Sequence, residues 1–513
     1  MKGTTESSPT EKQHTENSPA EPSPAKMGPE EIPSEIPSGE ISDGDDRNIV
    51  TWDGPDDPQN PMNWPDSRKW LNLALMSLLT IISPLGSSMF APGIPRILAE
   101  FKTNNSLIAT FITSIYFLGY AFGPLVVAPL SELYGRVYIY HISNVLFVSF
   151  CVGAALSTSI DMLMAFRFLM GVVGSVPTTI GVGSIVDVMP IEKRGRSISL
   201  WAMGPLLGPS IGPVAGGYLI QAAGWRWVYW LLAILSKGGV CSILALLIMR
   251  ETYAPILLER KARHLRKETG NQALRTKADR DGKKLIQRAV IRPFKFLFMT
   301  PLVSIIAAYV GIAYGILYLL IATFSFVYTD QYHFSEGDAG LAFLPAGLGM
   351  MIGVLTFGNV QDYLVKKAKE RMRPGEKYRP EVKITPWLTI PTGLTIPIGL
   401  FIYGWTTEYK IHWIVPMIGV VILSGGLTGV TMCVQNYQID SYERYAASGS
   451  AAVTLSRSLI GALMPLGGLK MYDALGLGWG NSLLGFMSLA LVPVPVGLFF
   501  YGGMIRKRFD PVL

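Results

Sequence analysis

From residue 70 onward, long apolar runs alternate with short polar loops. Twelve runs are read, at 70–91, 107–129, 137–156, 162–187, 197–220, 227–249, 300–325, 339–360, 384–405, 411–435, 447–470 and 480–503. A helix needs ~20 mainly apolar residues to cross a bilayer core. The pattern therefore predicts an all-α membrane protein with 12 transmembrane helices. Segments 5, 9 and 11 are rich in Gly and Pro, which blurs their ends. Residues 1–68 differ in kind. Pro, Ser, Glu and Thr dominate and large apolar side chains are few, so this tail is expected to be disordered. It has no apolar signal-peptide core. From Thr51 to Pro65 the prolines are too dense for a helix.

Charge fixes the orientation. With the N-terminus placed in the cytosol, 32 Lys and Arg flank the inner ends of the segments and 5 flank the outer ends. Without the long loop 6–7 the contrast is still 18 against 5. The asymmetry predicts both termini inside. The expected layout is a tail (1–68), a six-helix half (69–249), a basic loop (250–298), a second six-helix half (299–505) and a short tail (506–513). Composition adds little beyond this. Charged residues make up 16%, against about 25% in soluble domains, and the net charge of +7 gathers in particular loops rather than marking a nucleic-acid binder. Cys151, Cys241 and Cys433 all lie in apolar runs, so a disulfide framework is not expected. No zinc spacing, phosphate loop or catalytic triad is present, and no cofactor, metal or enzyme activity is expected.

The two halves repeat each other. At an offset of 230, Gly119, Gly123, Ala128 and Glu132 fall on Gly349, Gly353, Gly358 and Asp362. At 253, Asp187 and Gly208 fall on Asp440 and Gly461, and at 254 Gly224-Trp225 falls on Gly478-Trp479. The polar stretch Lys366–Lys383 accounts for the jump in offset. Parallel repeats of this kind place a substrate site between the halves near the midplane.

Segment 5 carries glycines four apart, Gly204, Gly208, Gly212 and Gly216, with Pro205, Pro209 and Pro213 beside them and Gly217 at the end. That spacing puts the glycines on one helix face, where another backbone can come close. Repeated Gly and Pro also make the helix bendable. The string resembles the antiporter motif in the fifth helix of the major facilitator superfamily. Ala128-Pro-Leu130-Ser-Glu132-Leu-Tyr-Gly135-Arg136 resembles that superfamily's loop 2–3 motif, with Ala128 in place of its first glycine and Glu132 in place of its aspartate. The resemblance implies that Glu132 faces the N-terminus of helix 11, with Asp362 playing the mirrored part opposite helix 5. Arg167-Phe-Leu-Met-Gly171-Val-Val-Gly174 resembles the fourth-helix motif linked to proton coupling. Arg167 lies six residues past Asp161, about 9 Å inside the outer boundary, and such an arginine faces protein or water, or snorkels. Asp187 ends the same helix and is expected near Lys193, Arg194 and Arg196.

No Asp or Glu lies in the middle of any segment. The candidates for proton carriage are therefore the rim acids Glu132, Asp187, Asp362 and Asp440, with Arg136 beside them, and His141. Proton coupling is implied by the resemblance more than by visible chemistry. Arg457 in segment 11 is a second intramembrane cation, which disfavours a polycationic substrate. Met89, Tyr116, Tyr120, Tyr314, Tyr318, Gln435 and Asn436 are the expected cavity wall, suited to amphipathic ligands. Asn104-Asn105-Ser106 is a glycosylation sequon.

The resemblance covers residues 50–510. Tyr116-Phe-Leu-Gly-Tyr120-Ala-Phe-Gly-Pro124, Gly224-Trp-Arg-Trp227, Arg250-Glu-Thr-Tyr253-Ala-Pro255 and Gly478-Trp-Gly-Asn481-Ser are similar to the fungal twelve-helix drug–proton antiporter group. It implies a monomeric efflux pump of the plasma membrane, exchanging a small amphipathic drug, toxin or secondary metabolite for protons by alternating access. A polyamine exporter, an uptake symporter and a non-transporting sensor are the alternatives.

Overall fold

Prolines and glycines, more than polar residues, decide where the apolar runs start, turn and break. The computed structural model describes residues 48–103, 105–238, 249–276, 282–371, 379–442 and 445–509. Asn104, Cys241, Arg444 and the side chain of Arg196 lie outside the described residues. Pro65 precedes helix α1 (Asp66–Ser88), and a 3-10 turn at Ala91–Gly93 leads into α2 (Ile94–Glu100). Asn105 caps α3 (Ser106–Tyr134) by accepting from the Leu107 N–H. Gly135, at φ +104°, turns the chain straight into α4 (Arg136–Ala155) in a conformation that L side chains rarely adopt.

The fourth segment is two helices, α5 (Ile160–Gly174) and α6 (Val176–Val188), broken at Ser175. Then come α7 (Ile191–Ala223), continuous through three prolines, and α8 (Arg226–Ala233). The second half follows as α11 (Pro301–Tyr332), α12 (Glu336–Leu341), α13 (Leu344–Glu370), α14 (Pro386–Glu408), α15 (Ile414–Ser441), α16 (Ala446–Leu463), α17 (Gly468–Leu491) and α18 (Pro493–Arg508). Gly476, at φ +75°, interrupts α17, and the Glu408 carboxylate accepts the exposed N–H groups of Leu477 (2.7 Å) and Gly478 (3.1 Å) there.

Nine stretches among the described residues are long and apolar enough to cross a membrane. One of them, 448–508, is broken at Gly476 into two crossings. With α7 these account for eleven of the twelve expected, and the apolar α8 begins the sixth, of which residues 239–248 lie outside the described residues. The stretch 250–298 departs from the expected loop. It forms α9 (Ala254–Thr269) and α10 (Gly282–Met299). In α9, Ile256 and Ala262 are buried while Arg260, Arg263 and His264 are exposed, so a basic sequence still has an apolar edge to dock. The proline-rich segment before α1 is likewise partly ordered, with a 3-10 turn at Pro61–Asn63 capped by Asn60.

The internal repeat is a repeat of contacts. An added Cβ on Gly119 would strike the Phe168 carbonyl, and one on Gly349 would strike that of Val421. On Gly123 and Gly353 it would meet the carbonyls of Val172 and Gly425, each at 2.5 Å. Phe168 and Val421, like Val172 and Gly425, are related by the same offset of 253 that relates Asp187 to Asp440. Crossing α3 on α5 thus recurs as α13 on α15. The halves meet along α3 with α16 and α7 with α12 and α13. One end of the bundle, near residues 66 and 508, gathers most Lys and Arg and is called the basic end. The other end is closed. Arg96 pairs with Glu336, Gly217 abuts the Glu336 carbonyl and Gly340 abuts that of Pro213.

Candidate functional site

Arg167 is the largest fully buried side chain in the structure. Its Nε donates to the Ile112 carbonyl at 2.6 Å, one terminal nitrogen to the Ser87 carbonyl at 3.2 Å and the other to the Tyr229 hydroxyl at 3.3 Å. The guanidinium lies 3.5 Å from the Phe90 ring centroid and 5.5 Å from that of Tyr116. No carboxylate pairs with it among the described residues. Carbonyl dipoles and ring faces replace water around the charge, the arrangement that a buried arginine needs. The side chain ties α1, α3, α5 and α8 together. It does not snorkel, and it lies inside the first half rather than between the halves.

Arg457 is placed differently. It lies on α16 at the seam, half-buried, with its guanidinium 4.9 Å from the Tyr314 ring centroid. Its Nε is buried and has no hydrogen-bond partner, and it has no ion pair among the described residues. Tyr314 and Tyr318 pack at 5.9 Å, and Tyr318 stacks on Phe117 of α3 at 4.1 Å, bridging the halves. Tyr120, one turn on from Phe117, bonds Thr178 at 2.6 Å. Aromatic faces and one under-satisfied cation thus converge where α3, α11 and α16 meet. Phe117 was missed in the sequence because it reads as one more apolar residue between two tyrosines.

The other expected wall residues are elsewhere. Tyr116 is fully buried in the first half, bonded to the Ser83 hydroxyl and carbonyl, both at 2.9 Å. Met89 is pinned beneath Gly216. Asn436 donates to Gln361 at 2.6 Å, and Gln361 donates to the Lys383 carbonyl at 3.3 Å, well down α15 toward the basic end. Gln435 is half-buried on the same turn. Gln435 and Asn436 do not join the tyrosine cluster, because α15 carries them toward the basic end, whereas Tyr116 borders it, with its ring 6.3 Å from Phe117 and 6.1 Å from Tyr120.

The glycine face of α7 packs on α1. An added Cβ would come within 2.7 Å of Ile81 at Gly204, 2.6 Å of Pro84 at Gly208 and 2.9 Å of Ser88 at Gly212, and would overlap the Met89 carbonyl at Gly216. Gly217 instead meets Glu336 of the second half. Pro205 and Pro209 are half-buried and Pro213 is buried within the unbroken helix.

At the basic end Asp187 pairs with Arg136, not with Lys193 or Arg194. The Arg136 Nε lies 3.2 Å from Asp187, its terminal nitrogen donates to the Ser131 hydroxyl at 2.9 Å, and its guanidinium covers the Tyr253 ring at 4.7 Å. Lys193 reaches Asp66 at 2.6 Å, and Arg194 bonds the Met189 and Val186 carbonyls. Glu251, buried, accepts the backbone N–H of Arg136, Thr252 and Tyr253, each at 3.0 Å, and so caps α4. Sequence reading quoted Glu251 only within the string Arg250-Glu-Thr-Tyr253-Ala-Pro255 and gave it no role, because nothing in the chain sets it apart from Glu259 or Glu268 in the same basic stretch. Glu132 is half-buried one turn before Arg136. In the second half Lys383 pairs with Asp440 at 2.7 Å and Arg506 with buried Glu381 at 3.2 Å. Asp362 is exposed. Buried Gln361 beside it makes the contacts to α15.

Comparison with known proteins gives the same architecture. A sequence model described as Major Facilitator Superfamily matches residues 76–465. The chain is 50% identical over 465 residues to "Efflux pump radE" of Floropilus chiversii, covering 90% of this chain and 86% of that protein. It is 46% identical over 484 residues to "MFS-type transporter penM" of Penicillium rubens, covering 91% and 92%. Among solved structures, the partially occluded inward-open xylose transporter XylE of E. coli aligns with a TM-score of 0.60 at 15% identity, over 85% of this chain and 98% of that one. A bacterial homologue of the lysosomal transporter Spinster, inward-facing, aligns with 0.54 at 16% identity, over 87% and 98%.

Proposed function

The chain belongs to the major facilitator superfamily, and from that premise we propose that it exports an amphipathic small molecule, a secondary metabolite or xenobiotic, in exchange for protons. The observation that carries this reading is the cluster around Arg457. A buried guanidinium nitrogen without a partner is costly unless a ligand completes it. The rings of Phe117, Tyr314 and Tyr318 beside it offer flat apolar surface. A neutral or anionic aromatic compound fits that chemistry, and a polyamine would face like charge. Relatives named as an efflux pump and as transporters support export over catalysis or sensing.

The cycle is alternating access. The halves rock about α3, α7, α13 and α16, and the closed end formed by Arg96, Glu336 and the α7–α12 contacts opens to release cargo. The basic end lies in the cytosol, by the excess of Lys and Arg there, and the protein works as a monomer in the plasma membrane. Protons act on the basic-end carboxylates Glu132, Asp187 and Asp440, because protonating Asp187 or Asp440 weakens an ion pair that helps hold this end together. Coupling follows if proton and cargo prefer different states.

The test is reconstitution in vesicles with an imposed proton gradient, a panel of neutral, anionic and cationic amphiphiles, and Arg457→Gln as the comparison. Gradient-driven movement of an anionic or neutral compound against the proton direction is the expected result, with movement of the anionic compound weakened in the variant. Movement with the protons makes the protein an importer. Flux indifferent to the gradient removes the coupling, and preferred transport of spermidine reassigns the substrate.

A further inference from the structure

Away from the seam cluster, a cavity of about 700 Å³ opens at the basic end. It lies between the proline-rich segment before α1, the first turn of α4, the end of the sixth crossing and α9. Sites for small molecules usually measure roughly 300–1,000 Å³. Four cations line it, Arg68, Arg250, Arg260 and Lys261, with Trp64 and Tyr138 as apolar wall.

The nearby acids are already engaged. Glu251, also in the wall, is saturated by backbone N–H groups. Asp57 accepts the N–H groups of Asp53 (2.9 Å) and Gln59 (2.8 Å), which hold its carboxyl below the ordinary range. Lys261 is bound to Asp53 at 2.6 Å and to the Thr51 carbonyl at 3.2 Å. Arg250 and Arg260 are exposed and have no ion-pair or hydrogen-bond partner among the described residues. The cavity thus holds two unspent guanidinium groups next to an aromatic wall.

We propose that this cavity binds the phosphate-bearing headgroup of an anionic lipid. Arginine forks match phosphate oxygens. The depth is right for a headgroup. Tyr138 is exposed in the first turn of a helix long enough to cross the bilayer, so the cavity floor meets the membrane boundary. Helix α9 beside it packs Ile256 and Ala262 against the protein and leaves Arg260, Arg263 and His264 exposed, so its outer edge is basic. Basic pockets at such positions attract anionic headgroups. A bound phosphate would also sit beside the carboxylate that caps α4, one residue from the Arg136–Asp187 pair.

The experiment uses the purified full chain in neutral detergent, with bound lipid counted by native mass spectrometry during titration. The probes are phosphatidylserine, phosphatidylcholine and glycerol phosphate. Phosphatidylserine is expected to bind and phosphatidylcholine to bind weakly. Arg250→Gln or Arg260→Gln should raise the apparent Kd about fivefold each, and the double variant about thirtyfold. Arg263→Gln, on the same helix but paired with Glu259 at 3.5 Å, should leave binding unchanged. Competition by glycerol phosphate at the affinity of the lipid would replace the lipid with a soluble phosphate compound. Equal retention of both lipids, or binding indifferent to the arginines, overturns the proposal. If the double variant does not fold, the single variants decide, together with loss of phosphatidylserine from the native chain as salt rises. Binding is read without transport, so this result stands apart from the export reading.

Discussion

Helix α7 on α1 and helix α16 on α11 are the same contact in two halves of one molecule, and they are built in opposite ways. The offset of 253 that pairs Gly208 with Gly461 also pairs Gly204 with Arg457. Gly212 and Gly216 correspond to Pro465 and Leu469. On α7 the face is stripped bare and settles onto Ile81, Pro84, Ser88 and Met89. On α16 only Gly461 keeps the close approach, against Tyr318, while Arg457 reaches over Tyr314. One half uses the face for backbone packing, and the other uses it to place a cation and two aromatic rings at the seam. The glycine stripe, the most conspicuous pattern in the sequence, packs on α1, and the proposed cargo contact falls at the position where the stripe is broken in the second half.

The two intramembrane arginines sharpen this contrast, and the largest expected effect belongs to the first of them. Removing Arg167 leaves the carbonyls of Ile112 and Ser87 and the Tyr229 hydroxyl without their donor and opens a void beside Phe90. A buried polar group left unsatisfied costs about 1–3 kcal/mol, and the void adds to that. Arg167→Ala should yield little monodisperse protein, and Arg167→Lys should not restore it, because a single ammonium does not span three acceptors on separate helices. Size-exclusion profiles after purification check this. A well-folded Arg167→Ala that fails only in transport would move Arg167 from scaffold to coupling and undo the contrast.

Next comes the stripe itself. Gly216→Val forces a side chain into the Met89 carbonyl, and overpacking of this kind costs about 1–3 kcal/mol or more. Gly461→Val meets a side chain, the Tyr318 ring, rather than a backbone carbonyl, and should cost less. Thermal denaturation in detergent separates the two. Equal losses would mean that both halves depend on backbone approach alike.

The third effect is on transport rather than folding. Arg457→Gln keeps much of the bulk of the side chain and removes the half-buried, under-satisfied charge at the seam. Hydrogen bonds to charged groups contribute about 1.5–3 kcal/mol, so KM for an anionic substrate should rise roughly 10- to 150-fold. Denaturation temperature and transport of neutral compounds should hardly change. A variant that loses stability instead would make Arg457 a second Arg167.

Much of this was legible in the chain and some was not, for physical reasons. The crossings were legible because lipid demands uninterrupted apolar helices. The glycine spacing was legible because close packing demands small residues at a helical period, and the repeat because Gly119, Gly123, Gly349 and Gly353 have no substitute that fits. The partner of Asp187 was not legible. Arg136 lies 51 positions away and meets it only after α4 folds back, whereas Lys193 and Arg194 are neighbours in sequence alone. Glu251 was hidden because a capping carboxylate needs only backbone N–H groups, which leave no sequence mark. The grouping of the expected wall residues was not legible, since Tyr116, Met89 and Asn436 differ from Tyr314 and Tyr318 in environment, not in type.

The smallest effects compare the two basic-end latches. Arg136–Asp187 is embedded, with Ser131, Tyr253 and the Glu251-capped start of α4 around it, and its side chains are 12% and 18% exposed. Lys383–Asp440 has side chains 17% and 23% exposed, and no ring covers its cation among the described residues. Partly exposed pairs contribute about 1 kcal/mol or less, so Lys383→Ala should shift thermal stability little. Arg136→Ala removes the pair, the Ser131 bond and the Tyr253 contact together, and should cost about 1–3 kcal/mol. If protonation of the latches drives the cycle, Asp187→Asn should change the pH dependence of transport more than Asp440→Asn, because breaking the embedded pair also loosens α6 from the capped start of α4. Identical pH profiles for the two variants would show that the latches act as one unit despite their different surroundings.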